Sequence, residues 1–499
     1  MGSAILLSTI NAKWIHPSLA LRLLKANLGR LETACDILEF ALRQPLREKV
    51  EPILAAKARI VGLSVYIWNH SATLELLKEL RETWQQKPGE QPVIVLGGPE
   101  VSYLPPEAEL FTYADYCIPG EGEQAFAALC EALLCDKNAP ANAQNTRWER
   151  EKVFSPQGKN VSPFFFPSQQ WQNTNLAACK SGYRLYTDED LNKKLVYVEA
   201  SRGCPFTCEY CLSANTPVVR EFPLAPFLEE MDTLLGRGAQ TFKFLDRTFN
   251  LNIERARHIM AFFLGKTGNP ARPLVVHFEM VASRFPPELL ETIARFPAGS
   301  LRLEIGLQTL NAEVSARIGR ASKPDEELAA FRYLSEKTNA IIHADLIAGL
   351  PGEDMASIGR GFDRLYAALS PADGTERRTE IQLGILKLLP GAPIHRHSAA
   401  FGMRYNPLPP YELMESTALP AGDLNRIKNF ARFWELIVNR GLAPAWRPAW
   451  HPAWRPLSAP APVFDRFMAL SDSLLARFGR NWGIAKQELL EAIHELSVA

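Results

Sequence analysis

The sequence has no surplus of charge of either sign. Its 499 residues carry 55 Lys and Arg against 55 Asp and Glu. Nothing therefore supplies a global positive field, which argues against a general nucleic-acid binder or a protein held on anionic membranes. Long apolar runs are missing as well: no window reaches the roughly 18 residues that a spanning helix needs. The opening Met1-Gly2-Ser3-Ala4-Ile5-Leu6-Leu7-Ser8 has neither a basic leader nor a cleavage signature, so it reads as a strand of the mature fold and the expected location is cytoplasmic. Cysteine is absent from more than half of the chain. The eight present are Cys35, Cys117, Cys130, Cys135, Cys179, Cys204, Cys208 and Cys211, and none follows. A secreted disulfide framework would not leave so long a stretch unstapled; a reducing compartment with one local thiolate cluster fits better.

What is present is alternation. Up to about residue 135, strand-like and helix-like runs take turns: strands at Ala4–Ile10, Ala34–Phe40, Ile60–Trp68, Pro92–Leu96 and Asp115–Ile118, helices at Pro17–Leu28, Arg47–Ala58, Ser71–Trp84 and Glu123–Leu134. Such β/α units imply a doubly wound, Rossmann-like (flavodoxin-like) parallel sheet, whose ligands bind beyond the carboxyl ends of its strands. From 136 to 192 the pattern dissolves into Asn, Gln, Pro and Ser around Phe164-Phe165-Phe166, which reads as an interdomain linker. A second alternating block, 193–389, has strands at Leu195–Ser201, Thr241–Asp246, Val275–Met280, Leu301–Gly306, Ile341–Ala348 and Glu380–Lys387, with helices between them. A full eight-unit TIM barrel takes about 250 residues, so the shorter block predicts a partial (β/α)6 barrel. The remainder, 390–499, reads as a mainly helical C-terminal domain. It is interrupted by the Trp-Pro run at 444–456, where Pro forbids regular structure and an extended arm or a lid over the barrel is expected.

The strongest chemical signal directly follows the first strand of the second block: Ser201-Arg202-Gly203-Cys204-Pro205-Phe206-Thr207-Cys208-Glu209-Tyr210-Cys211. The spacing C-x3-C-x2-C lets three sulfurs converge from one short loop, and thiolate sulfur suits an iron–sulfur cluster or zinc. A structural zinc normally takes four ligands, so a zinc reading must borrow a distant His or an upstream Cys. A four-iron cluster on three cysteines instead leaves one iron open.

This motif after the first strand of a six-unit barrel resembles the radical S-adenosylmethionine (SAM) superfamily. The resemblance implies a [4Fe-4S] cluster on Cys204, Cys208 and Cys211, whose open iron chelates S-adenosyl-L-methionine. One electron then cleaves the sulfonium to a 5′-deoxyadenosyl radical. Further positions at strand ends are expected to bind SAM: Tyr210 beside the adenine, Asp246 in place of the usual Gly-Gly-Glu, Glu304 at ribose or ammonium, Gln308 and Arg320 at the carboxylate, and Asp345 and Gly349 at ribose and adenine. Glu279 is a weaker candidate. The bland reading of each is a solvated strand end or a barrel ion pair, although a charge at Asp345 inside an apolar run needs a partner.

A five-unit doubly wound domain ahead of such a barrel is similar to the cobalamin-binding subclass. Expected cobalamin contacts are Ser8, Thr9 and Asn11 after the first strand, Tyr66 and Trp68 after the third, Gly97, Gly98, Pro99 and Glu100 after the fourth, and Gly120, Glu121, Gly122 and Glu123 after the fifth. Glycines there admit a bulky ligand tail. The Asp-x-His-x-x-Gly pattern is absent, and His16 lacks its companions, so no protein His is expected on the lower cobalt face. A domain that has lost its cofactor and only shapes the site is the alternative. Methylthiotransferases also pair an α/β domain with this barrel and carry a second cluster. Here, though, Cys35, Cys117, Cys130 and Cys135 fall within strands and a helix, where Cys is a common core residue. Leu383–Pro393 resembles the end of the barrel in a subgroup with an extra C-terminal domain.

The implied activity is a cobalamin-dependent methyltransferase acting on an unactivated carbon. A ring-forming or rearranging enzyme with the same cofactors, and a cluster-bearing sensor, are the alternatives. A flavodoxin or ferredoxin is the implied reductant. The substrate is not implied.

Overall fold

The computed structural model describes residues 3–86, 91–135, 164–165, 175–269, 272–370, 379–441 and 462–498. The chain divides into two compact units, Met1–Ala200 with Arg220–Lys243, and Ser201–Val219 with Phe244–Ala499.

The first unit begins with strands Ile5–Asn11 (β1), Cys35–Ala41 (β2), Ile60–Ser64 (β3), Val93–Gly97 (β4), Tyr116–Ile118 (β5) and Phe164–Phe165 (β6). They form one sheet in the order β2-β1-β3-β4-β5-β6, and every pair in it is parallel. The order reverses direction between β1 and β3, the flavodoxin-like switch point at which ligands of such sheets bind. Helices Leu19–Ala26 (α1), Leu46–Ala56 (α2), His70–Gln85 (α3) and Glu123–Cys135 (α4) connect the strands. Alternate residues of β1 feed opposite cores. Leu6 and Ile10 pack with Val50, Ile53, Leu76 and Leu80 of α2 and α3, while Ile5 and Leu7 pack with Leu21, Phe126 and Leu129 of α1 and α4. That two-sided burial is why β1 reads as a continuous apolar run rather than an alternation.

The stretch 136–192 was expected to be a linker, and its described parts carry more structure than that. Phe164–Phe165 adds the sixth strand beside β5. Residues 175–193 fold onto the unit, with Tyr183, Tyr186 and Leu191 buried and helix Asp188–Lys193 (α5) closed by a Thr187/Asp190 capping box. The anchor is a buried guanidinium. Arg22 of α1 pairs with Glu39 at 2.8 Å and Asp190 at 2.7 Å, and it lies 4.6 Å from the centre of the Tyr186 ring. A polar, Asn-rich sequence hides this because the anchoring guanidinium, Arg22, lies more than a hundred positions before Asp190 and Tyr186.

The second sheet has the order β14-β13-β12-β11-β10-β7. Its strands are Val196–Val198 (β7), Thr241–Phe244 (β10), Val275–Val281 (β11), Leu301–Gln308 (β12), Ile341–Ala348 (β13) and Thr379–Ile385 (β14). Ser201–Arg202 (β8) and Arg220–Glu221 (β9) are short strands flanking the cysteine loop. Helices Leu224–Gly236 (α6), Ile253–Leu264 (α7), Pro287–Ala294 (α8), Ala312–Arg317 (α9), Pro324–Lys337 (α10) and Met355–Leu369 (α11) follow the strands. The expected six β/α units are therefore observed. Burial alternates strictly along β11 and β12: Val276, Phe278, Met280, Leu301, Leu303 and Ile305 are buried, while His277, Glu279, Arg302 and Glu304 on the opposite face are half-buried. Parallel register aligns Glu279, Glu304, His343 and Glu380 in one row across β11–β14.

The C-terminal region was expected to be mainly helical. It first forms a turn at Pro393–His397 and a small antiparallel pair, Arg404–Tyr405 (β15) with Leu413–Glu415 (β16). Helices Ala421–Trp434 (α12), Val463–Phe478 and Lys486–Val498 follow. Phe430 and Trp434 of α12 stack at 5.7 Å and pack edge-on against Phe362 of α11 and Phe467. The π-helical turn Glu435–Asn439 that ends α12 brings the Asn439 amide to strand β14. There it donates to Ile381 O at 3.0 Å and accepts from Ile381 N at 3.2 Å. The Trp-Pro run, and with it the arm or lid, lies outside the described residues. No helix among the described residues is long and apolar enough to cross a membrane.

Candidate active site

The cysteine loop leaves β8 through Gly203, at φ +98°. A Cβ here would come within 2.3 Å of Val218 O and 3.0 Å of Thr216 O, so only glycine fits. Thr216 O accepts from Cys204 N at 3.0 Å, which fixes the first cysteine, and Cys204 Sγ lies 3.5 Å from Thr248 Oγ1. Cys204 and Cys208 are buried and Cys211 is half-buried. Burial pushes the Cys208 thiol up, against the opposing pull of Arg320 and of a hydrogen bond from Tyr210. Cys211 is close enough to Cys208 to act on it electrostatically. Among the described residues no three His, Cys, Asp or Glu side chains are gathered in a metal-holding arrangement. The loop thus brings Cys208 and Cys211 together, with Cys204 set against Thr248. As a donor set, three thiols within one eight-residue loop suit a soft iron–sulfur cluster.

Arg320 is the centre of the polar site. It donates to Gly306 O at 2.6 Å and to Tyr210 Oη at 3.4 Å. Burial would lower its pKa, but Tyr210, Cys208 and Glu327 hold it above its ordinary value. Its Nε is buried without an acceptor. Gln308 stands at φ +69° at the end of β12, where the register with β13 shifts, and its buried Oε1 has no donor. A non-glycine residue in the left-handed region costs energy and persists where its surroundings hold it. Arg320 and Gln308 therefore meet at Gly306, whose missing side chain makes the room: a Cβ there would lie 2.5 Å from Gln308 Nε2.

The other expected SAM contacts are spoken for within the fold. Asp246 is buried and accepts from Ser201 Oγ at 2.6 Å. Glu304 pairs with His277 at 3.1 Å, and Glu279 lies opposite it in register. The partner that Asp345 needs inside its apolar run is His343, at 3.3 Å. Burial would lower the pKa of His343, but Asp345 and Glu380, the latter at 2.9 Å, push it up to about 11. Gly349, at φ +93°, leaves space that Leu413 fills, since a Cβ would sit 2.4 Å from Leu413 Cδ2. Two groups escaped sequence reading. Glu209 inside the cysteine motif is buried against Arg396 and His397. Glu353, buried after β13, accepts from Thr309 Oγ1 at 2.6 Å and Ser357 Oγ at 3.1 Å, and burial raises its pKa to about 7 despite both bonds. The only sequence signal for either was a carboxylate embedded in a motif.

At the carboxyl edge of the first sheet, most of the expected polar contacts are turned inward. Thr9 Oγ1 donates to Ser64 O at 2.8 Å, and Asn11 Nδ2 donates to Glu39 at 3.1 Å. Ser8 is wholly buried, its hydroxyl without a partner. Asn69, also fully buried, ties the ends of β1 and β3 through Ile10 O at 2.9 Å. Glu100 pairs with His70 at 2.7 Å, and Glu121 with Arg220 at 3.2 Å. Glu123 is buried at the start of α4. Ser102 links two glycine loops, donating to Gly98 O at 2.8 Å and accepting from Gly120 N at 2.9 Å. Gly98, at φ +104°, lies so close to Val65 that a Cβ would be 2.5 Å from its carbonyl oxygen. Gly97 precedes it in β4, Pro99 is exposed, and Gly122 begins the turn into α4. The edge exposes apolar groups instead. Tyr66 and Trp68 stack at 4.4 Å, and Trp14, Ile15, Leu42, Trp68 and Tyr103, on the loops after β1 to β4, are exposed. His16 Nδ1 is 2.8 Å from Tyr197 Oη, and burial with nearby lysines lowers its pKa. Cys35, Cys117 and Cys130 are buried; burial pushes the first two up to about 12 and raises Cys130 too, so these thiols are core groups rather than ligands.

Residues 6–130 match the family model described as B12 binding domain, and residues 198–364 match that of the Radical SAM superfamily. No curated protein matches. Among solved structures, the radical S-adenosylmethionine methyltransferase TsrM from Kitasatospora setae, with cobalamin and a [4Fe-4S] cluster bound, superposes with TM-score 0.58 at 18% identity, over 82% of this chain and 78% of that one. The cobalamin-dependent S-adenosylmethionine radical enzyme OxsB, with aqua-cobalamin bound, gives TM-score 0.64 at 13% identity, over 99% of this chain and 75% of that one. At such identities the likeness is one of fold. With the two family matches falling on the doubly wound sheet and on the strands that carry the cysteine loop, the chain is a radical SAM superfamily protein with an N-terminal B12 binding domain.

Proposed function

We propose that the chain is a cobalamin-dependent radical SAM enzyme that methylates an unactivated carbon. The observation that carries the SAM half is the pair of orphaned groups that meet at Gly306, of which Arg320 also reaches Tyr210 of the cysteine loop. Arg320 Nε is a buried donor without an acceptor, and Gln308 Oε1 is a buried acceptor without a donor. A buried polar atom left unpaired costs about 1–3 kcal/mol. An amino-acid head group supplies both missing partners, a carboxylate for Arg320 and an ammonium for Gln308.

Cys204, Cys208 and Cys211 would hold the cluster and Tyr210 would flank the adenine. Asp246 would orient through Ser201. Glu304 and Asp345, each paired with a histidine, would meet the ribose hydroxyls. In the first unit, Tyr66, Trp68 and the glycine loops at 97–98 and 120–122 would offer an apolar, backbone-lined bed for a corrin, with Pro99 and Glu121 at its rim; Ser8, Thr9, Asn11, Glu100 and Glu123, buried behind it, would support the loops. His16, engaged with Tyr197, is not the lower ligand. When bound, the cluster and SAM supply a 5′-deoxyadenosyl radical and cobalamin supplies the methyl group; the chain binds, orients and shields them.

The test is anaerobic purification with iron and cobalt quantified per chain, followed by product counting. The expected result is about four irons, stoichiometric cobalt, and S-adenosylhomocysteine and 5′-deoxyadenosine in equal amounts. Deoxyadenosine without S-adenosylhomocysteine would make the enzyme ring-forming or rearranging, and intact SAM after reduction would overturn the enzyme reading.

A further inference from the structure

We infer that Glu209 is a positioning residue for the cluster, clamped by the segment that follows the last barrel strand. The inference rests on the cluster reading above.

Glu209 lies between Cys208 and Tyr210 and is buried. Every polar group it has is committed. Its N–H donates to Ile318 O at 3.0 Å, just past α9. Its carbonyl accepts from Ile394 N at 3.0 Å. One carboxylate oxygen accepts from Arg396, and the other lies 2.8 Å from His397 Nε2. Adjacent contacts repeat the pattern on both flanks. Thr207 Oγ1 donates to Gly319 O at 3.3 Å, and Asn215 Nδ2 donates to Gly391 O at 3.1 Å. The cysteine loop is thus gripped by residues 318–320 on one side and 391–397 on the other.

The second grip is itself held. His397 O accepts from Phe401 N at 3.1 Å, and the Phe401 ring lies 4.8 Å from the Arg317 guanidinium, which donates to Pro351 O. The loops after β12, β13 and β14 are therefore tied to the middle of C-x3-C-x2-C. A short loop presenting three thiolates has no secondary structure of its own, so its geometry is set by these external bonds.

The clamp also fixes charge. A buried carboxylate on the residue next to Cys208 would disfavour an electron added to a cluster held there, and the Arg396 cation would offset it. Reduction potentials of such clusters follow local net charge and hydrogen bonding. Glu209→Gln removes the negative member and leaves the cation, so the midpoint potential rises. Arg396→Gln does the reverse, and the potential falls. Arg396 is 60% exposed in its side chain, so that variant tests the charge effect even where Glu209→Gln folds poorly.

The experiment reconstitutes the full chain and the Glu209→Gln, Arg396→Gln and double variants anaerobically. Iron per chain is measured after desalting, and the cluster midpoint by electron paramagnetic resonance during redox titration. The expected result is shifts of opposite sign in the single variants, a midpoint near the parent's in the double variant, and faster iron loss in every variant that lacks Glu209. Single-variant midpoints that match the parent, or that shift in the same direction, would overturn the inference. A parent chain that holds no iron would overturn the cluster reading, and the inference with it.

Discussion

The carboxyl edge of the doubly wound sheet and the barrel site around Arg320 are both built from loops after parallel strands, yet they leave opposite things unfinished. At the sheet edge the polar groups are largely satisfied: Thr9, Asn11, Asn69, Glu100 and Ser102 all have partners within the fold, and what faces outward is Trp14, Ile15, Leu42, Trp68 and Tyr103. Around Arg320 what is unfinished is polar: Arg320 Nε and Gln308 Oε1. An exposed apolar edge with glycine loops suits a large ligand held by area and shape. Orphaned buried donors and acceptors suit a small charged ligand held by specific bonds. The two sites should therefore fail differently when mutated.

The largest effect is expected at the thiols. Cys208→Ala should abolish iron binding and all deoxyadenosine formation while leaving cobalt content near the parent's. A variant that keeps about four irons per chain would remove the basis of the cluster reading.

Next is Glu353, which measures the cost of polar burial beside the barrel site. Its folded pKa of about 7 lies above its unfolded value of 4.5, so its favourable contribution is complete below the unfolded value and is lost as pH rises through about 7. Glu353→Gln stays neutral, so it should gain stability over the parent above about pH 7, by up to roughly 3 kcal/mol, and gain little near pH 4.5. Urea unfolding at both ends of that range checks this; an equal gain at the two would show that the carboxyl does not titrate there.

Arg320→Gln should weaken binding of SAM to the unreduced, reconstituted protein by roughly ten- to a hundredfold, since a charge-assisted hydrogen bond is worth about 1.5–3 kcal/mol. Unchanged affinity by calorimetry would mean that Arg320 serves only Gly306 and Tyr210.

At the sheet edge the effects are smaller and insensitive to charge. Trp68→Ala should reduce retained cobalamin after gel filtration at a cost of about 1 kcal/mol, and Trp68→Phe should restore most of it. If the two variants lose equal amounts, the aromatic face is not what binds. His16→Ala should leave the cobalamin absorption spectrum unchanged; a shift on that substitution would make His16 a ligand.

Much of this was legible in the sequence, and particular residues show why. Strand Ile341–Ala348 coincides with its expected bounds, and helices Ile253–Leu264 and Met355–Leu369 fall between strands as expected, because apolar periodicity and flanking caps, Asn252 and Asp354, are local signals. The cysteine loop was legible because its spacing is local too. Strand Phe164–Phe165, the Arg22–Asp190 anchor and the Glu209–Arg396 clamp were not, since each depends on a partner far along the chain. Asp345 marks a different limit: its need for a partner is evident from the apolar run, but that His343, two residues earlier on the same strand face, meets it depends on side-chain direction, which spacing alone does not give.

The Asn439 amide, holding both polar groups of Ile381, has a practical consequence for dividing the gene. A sheet that does not close on itself ends in a strand with unpaired N–H and C=O groups, a template for pairing with another molecule. Here β14 is that strand, and a side chain from the π-helical turn after α12 occupies it. A fragment cut after β14 to isolate the cysteine-bearing half would bare that edge together with the face of α11 that covers Phe430 and Trp434. Such a truncation should aggregate as the protein concentration rises, whereas a fragment continued through Val498 should stay monodisperse. The helical tail thus doubles as a built-in chaperone for the open sheet.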